Sequence, residues 1–203
     1  MYHLRLVEAD RIAYNEHRRY PNHLSVLKEH AMKNRKMAWG VAVAVAAVGQ
    51  MISAIFFYNC ADNAALTNLG WAVMMVSAIF GWLPILTFRR RGGVAKGESY
   101  IQTTQLVDTG IYGIVRHPQY LAGIIISVAL MLIAPHWLVI GLGVVATLIY
   151  AFSTFEEERD CIEKFGDAYR EYQTRVPRLN AIVGIIRALK RWATRDVREK
   201  GQM

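Results

Sequence analysis

From His117 to Phe155 the chain passes 39 residues without a single Lys, Arg, Asp or Glu. A small soluble domain has too little interior to surround so long an uncharged run on every side, whereas a lipid bilayer demands one. Two more such blocks precede it, Met37 to Tyr58 and Leu69 to Phe88, each of about the 20 residues needed to cross a hydrocarbon core of roughly 30 Å. The block from Pro118 to Phe155 is too long for one crossing and carries Pro135–His136 near its middle. Proline lacks a donor and disfavours helix in the residue before it, so the block reads as two helical arms joined by a tight turn. The first arm, 118–134, would rise only about 25 Å at 1.5 Å per residue. The expected fold is all-α and polytopic: about four transmembrane helices, a helical hairpin at 118–155, and cytosolic amphipathic helices.

The charges fix an expected orientation. All 24 Lys and Arg fall within Arg5–Lys36, Arg89–Arg116 and Arg159–Lys200, while the connectors 59–68 and 134–137 have none. The positive-inside rule then places both termini and the 89–116 segment in the cytoplasm. A net charge of +8 beside 54% hydrophobic residues is thus a membrane composition, and no nucleic-acid partner is expected. The division expected is a cytosolic extension at 1–36, a membrane core at 37–178 and a basic amphipathic segment at 179–203. The first apolar run begins at Met37, so no cleavable signal peptide is expected. Cys60 and Cys161 fall on opposite sides of the membrane in this topology, which excludes a disulfide between them. His3, His17, His23 and His30 lack the spacing of metal ligands, and no metal is expected.

Several local features bear on a site. Gly81 and Pro84 predict a kink near the end of the second span. Gly92, Gly93 and Gly97 read as a flexible connector. Ile162, Phe165, Tyr169, Tyr172 and Val176 recur at three- and four-residue steps, one face of a helix that Pro177 ends. Ile182, Ile185, Ile186, Leu189 and Trp192 repeat that pattern among Arg187, Lys190, Arg191 and Arg195. Two readings of this last helix stand side by side: an interfacial anchor on anionic lipid, or packing onto the cytosolic face of the protein.

The chemistry concentrates at the two ends of the 118–155 hairpin. Arg116, His117, Pro118, Gln119 and Tyr120 lead into it, and Glu156, Glu157 and Glu158 close it. Pro118 suits the first turn of a helix, where its missing N–H is no loss. Arg116 and His117 then stand at the positive end of that helix, where backbone donors and a guanidinium favour a carboxylate or phosphate. Anchoring at the headgroup level would account for the cations equally well. Acids at a membrane boundary gain nothing from anionic lipid, however, and a hairpin brings them opposite the cations. One glutamate can pair with Arg116 while the other holds hydroxyls or a cation. Cations and a helix dipole on one side and carboxylates on the other suit a zwitterionic ligand bearing a sugar.

The run Val107-Asp-Thr-Gly-Ile-Tyr-Gly-Ile-Val-Arg-His-Pro-Gln-Tyr-Leu-Ala-Gly123 resembles the signature of integral-membrane methyltransferases, among them the isoprenylcysteine carboxyl methyltransferases and the phospholipid N-methyltransferases. The second half is similar too: Glu157–Glu158, Ile162 to Tyr172, and Arg175-Val-Pro-Arg178. The resemblance covers 106–178 and implies methyl transfer from S-adenosylmethionine bound on the cytosolic side. It implies cofactor binding by His117, Tyr120, Glu157 and Glu158, and a binding or catalytic role for Arg116. The implied acceptor is lipophilic or membrane-delivered, and the isoprenylcysteine carboxylate type is placed ahead of a phospholipid amine or a small thiol. Animal phospholipid methyltransferases carry a Gly-x-Gly motif in an earlier span, whereas 80–83 holds Gly81 alone. Sterol reductases share a related C-terminal pattern, which keeps a nicotinamide-dependent reductase open as an alternative. A non-enzymatic scaffold bound to lipid or a partner is the third reading. Oligomeric state is not indicated by the sequence.

Overall fold

A computed structural model describes residues 23–91 and 105–200. Among them are six α-helices and no strand: α1 (His23–Phe56), α2 (Ala64–Arg91), α3 (Pro118–Ile133), α4 (Trp137–Phe165), α5 (Asp167–Arg175) and α6 (Ala181–Lys200), with a 3-10 turn at Gly110–Gly113 before α3. The chain divides into a unit of residues 1–42 and a unit of residues 43–203. The glycine connector at 92–97 and His3 and His17 lie outside the described residues, as do the side chains of His23 and His30.

Three helices are long and apolar enough to cross a membrane, over Met37–Phe56, Ala64–Arg90 and Trp137–Phe165. α3 is the short fourth, 16 residues rising about 24 Å. Only 17–22% of each long apolar window is buried within the protein. The outward surface, including Val45, Ile55, Met75, Ile79, Val144 and Phe152, is apolar and exposed, far beyond what water tolerates on a monomer. Lipid is its solvent.

The expected hairpin forms. α3 ends at Ile133, and Ala134–Pro135–His136 turns the chain into α4. His136 caps α4 by accepting from Leu138 N–H through Nδ1 (3.3 Å), and its ring stacks on Phe57 with centroids 3.6 Å apart. α2 runs antiparallel to α3, and Ser77 Oγ donates to Ala122 O (2.8 Å) between them. Gln50 of α1 is 1% exposed and donates through Nε2 to Ser127 O (2.9 Å) and Val139 O (3.3 Å). In lipid such a polar contact between helices supplies cohesion that apolar packing alone does not.

The contact of α2 with α3 requires glycine. A Cβ on Gly70 would meet Ile133 Cγ1 at 2.6 Å and the Ala129 carbonyl at 2.9 Å. Gly70→Ala is therefore expected to wedge α2 from α3 and cost about 1–3 kcal/mol. Gly141→Ala, with nothing within 4 Å, is expected to be neutral. Thermal unfolding in detergent micelles compares the two.

The structure differs from the sequence reading at two places. α2 begins at Ala64 rather than Leu69, because Asn63 Oδ1 accepts from Leu66 N–H (3.1 Å) and caps it. From there α2 continues as helix past Gly81 and Pro84 to Arg91. The single helix expected from Ile162 to Val176 is broken at Gly166, whose φ of +58° is open to glycine and strained for other residues. Its N–H still closes α4 onto Ile162 O (2.8 Å). Tyr169, Tyr172 and Val176 nevertheless gather with Ile162, Phe165, Cys161 and Leu106 into one cluster.

Candidate cofactor site

The two ends of the hairpin meet. Backbone bonds clip the segment before α3 to the segment after α5: Arg116 N–H donates to Pro177 O (3.0 Å) and His117 N–H to Arg178 O (3.2 Å). Val115, just before them, is fully buried. Tyr172 Oη donates to Tyr112 O (2.7 Å), and burial pushes that phenol's pKa up, so it stays protonated as a donor. Gly110 takes a φ of +64° against Thr87 of α2, turning the chain toward His117. His117 is the N-cap of α3 and Pro118 its first residue, as the sequence predicts.

Glu158 is the hub. Its Oε1 lies 2.9 Å from Arg116 Nη1 and 3.2 Å from His117 Nε2. Its Oε2 accepts from Arg178 Nη2 (2.5 Å) and Gln173 Nε2 (3.1 Å). The Glu158 side chain is only 5% exposed, held by hydrogen bonds with His117, Gln173 and Arg178 and by the charge of Arg116. Glu157 differs. Its Oε2 is 3.6 Å from His117 Nδ1, and its side chain is 45% exposed. Of the two acids, Glu157 has side-chain surface open to a ligand and Glu158 has almost none.

His117 therefore stands between two carboxylates, one at each ring nitrogen. Burial lowers its pKa, but hydrogen bonds and charge from Glu157 and Glu158 outweigh burial and raise it above 6.5. Only the protonated ring can donate to both. A raised histidine contributes stability that is fully present below about pH 6.5 and is lost as pH climbs through the raised value. Thermal unfolding of wild type in detergent is expected to fall along that limb, and His117→Asn to flatten it. An unchanged limb in the variant would refute this charge state.

Beside the cluster lies a cavity of about 250 Å³, lined among others by Arg116, His117, Gln119, Glu157, Asp160 and Lys164, with Phe88, Leu106, Tyr112 and Phe165 as apolar walls. Arg116 is nine-tenths buried. Its Nη1 pairs with Glu158 by distance without the alignment of a hydrogen bond, and its Nε has no hydrogen-bond partner. A buried guanidinium with unsatisfied donors on a cavity wall is a seat for an anionic oxygen.

Of the residues singled out in sequence, Arg116, His117, Glu157 and Glu158 come together. Tyr120 stands behind His117, edge-to-face at 5.7 Å and within hydrogen-bonding reach of Glu157, and is not among the residues lining the cavity. Arg178 and Gln173 were not singled out as site residues. Arg178 also stacks over Phe155, 3.8 Å from the ring centroid. Its place directly after Pro177, in a run that resembles a family motif, is the signal that could have found it. Gln173 carries no such mark.

Residues 67–168, half of the chain, match the family model for phospholipid methyltransferases. The Delta(14)-sterol reductase of Mus musculus is 33% identical over 79 residues, covering 36% of this chain and 18% of that protein. The chain thus spans less than a fifth of the length of that relative. No solved structure matches. The family match takes in α3, Arg116, His117 and both glutamates, and the chain belongs to the phospholipid methyltransferase family of integral-membrane methyltransferases.

Proposed function

We propose that this protein binds S-adenosylmethionine in the cavity beside His117 and methylates a lipophilic acceptor drawn from the bilayer. The observation that carries the reading is Arg116, whose buried, unsatisfied Nε shares a cavity wall with the half-exposed Glu157. Arg116 and the positive end of α3 would hold the cofactor's carboxylate. Glu157 would accept from ribose hydroxyls. Glu158, tied to Arg116, His117 and Arg178, positions the groups that touch the ligand. Tyr120 braces His117 and Glu157 from behind. When bound, the cofactor supplies an electrophilic methyl group on a sulfonium. The protein's share is to align the acceptor and exclude water, for which Phe88, Leu106 and Phe165 form dry walls.

A carboxylate acceptor needs no general base, and His117 is committed between two acids; both favour the isoprenylcysteine carboxylate type. An amine or thiol acceptor would require Glu157 to take the proton. Labelled methyl transfer into a membrane extract separates these outcomes. A carboxyl methyl ester releases its label as methanol in mild base, and a methylated amine or thioether keeps it.

The sterol reductase similarity supports a second reading, a nicotinamide-dependent reductase. A dinucleotide phosphate asks for a cluster of cations, and the cavity wall carries Arg116, Lys164 and His117 alone among the described residues. Substrate-dependent NADPH oxidation without methyl transfer would favour that reading. The orientation proposed is both termini cytoplasmic. The cation-bearing end of α2, start of α3 and end of α4 fall on one side of an up-and-down arrangement, as the positive-inside rule requires.

A further inference from the structure

α6 presents three distinct sectors around its axis at about 100° per residue. One faces the protein. Gly184 is buried against the Ile114 carbonyl, so closely that a Cβ there would clash with it. Arg191 donates from Nη2 to Gly113 O (2.6 Å) and from Nη1 to Arg175 O (3.1 Å). The second sector holds Ile182, Ile185, Ile186, Leu189 and Trp192, roughly a third of the circumference. All five are exposed, Ile182 at 73% and Trp192 at 69% the most so. The third sector, between the apolar one and the one that faces the protein, carries exposed Arg187 and Lys190. The helix as a whole has six Lys and Arg to two acids.

The position of α6 supplies the occupant. Ile114, on which Gly184 rests, precedes by four residues the point where α3 begins its passage through the apolar region. The uncovered sector therefore sits beside a bilayer boundary. We infer that α6 lies in the headgroup plane of an anionic leaflet, with Ile182, Ile186, Leu189 and Trp192 sunk among the acyl chains and the cations at the phosphates. Amphipathic helices with Trp on one face and Lys and Arg on the other partition to that depth, and long cationic side chains reach outward from it. Of the two readings left open by the sequence, the lipid anchor fits a helix that packs by its small and basic sector and leaves its large apolar residues outward. This inference is independent of which reaction the cavity performs.

The test uses the full chain, with Cys60→Ser and Cys161→Ser, reconstituted in phosphatidylcholine vesicles with and without phosphatidylglycerol. Nitroxide labels go on Ile186→Cys and, separately, Arg187→Cys. Label 186 is expected to collide several-fold more with oxygen than with a water-soluble nickel chelate, and label 187 the reverse. Adding phosphatidylglycerol is expected to deepen label 186, and Arg187→Glu to undo the deepening. Label 186 exposed to the nickel chelate like label 187 would overturn the inference. So would label 186 shielded from both collision partners, the sign of a protein partner or second copy. Immersion indifferent to phosphatidylglycerol would overturn the anionic preference.

Discussion

Glu158→Ala is expected to unfold the end of the protein where the mouth of the hairpin lies, whereas Glu157→Ala leaves the fold intact and weakens ligand binding about a hundredfold. The two residues are neighbours in sequence and opposites in environment. Removing the Glu158 carboxylate leaves Arg116, His117 and Arg178 facing one another without their shared counter-charge, a loss of about 3–5 kcal/mol for a buried ion pair broken on one side. Glu157 meets the cluster through His117 and Tyr120, and its side chain is 45% exposed. Its truncation is expected to lower the melting temperature little and to weaken S-adenosylhomocysteine binding about a hundredfold, close to the lower end of what two lost hydrogen bonds to a charged group are worth. Thermal unfolding and binding isotherms on both variants check the split. Equal stability loss in both would show that the acids are interchangeable surface groups.

Arg116→Ala carries the second large effect. The guanidinium is nine-tenths buried and has donors to spare, so a bound carboxylate would complete its coordination. Its loss is expected to weaken cofactor binding by about 3 kcal/mol, roughly 150-fold, as for truncation of a desolvated charge pair. Arg116→Lys is not expected to rescue it, since an ammonium cannot satisfy Glu158 and a second carboxylate in one plane. Near-wild-type affinity for the lysine variant would mean that only net charge matters there.

The membrane helices were legible because the bilayer imposes a rule on composition alone: uncharged runs of fixed length, with cations between them. The hairpin was legible from one proline, and it brought His117 to the glutamates without knowledge of any contact. The division of labour between Glu157 and Glu158 was not. It depends on Gln173 and Arg178 arriving from beyond a helix break, and the break depends on Gly166 adopting a positive φ. In sequence the apolar stripe from Ile162 to Val176 runs through that glycine without interruption, because its residues converge on one cluster whether or not the helix is continuous. Tyr120 illustrates the same limit, since adjacency to His117 does not say which side of the ring faces the cavity.

Isothermal titration of S-adenosylhomocysteine into the purified wild-type protein, with Glu157→Ala as the paired control, addresses the site most directly. Saturable binding at one site per chain in wild type, lost in a variant that melts at the same temperature, is the predicted result. Heats indistinguishable from dilution in the wild type, or binding undiminished in the variant, would contradict a cofactor pocket at the mouth of the hairpin.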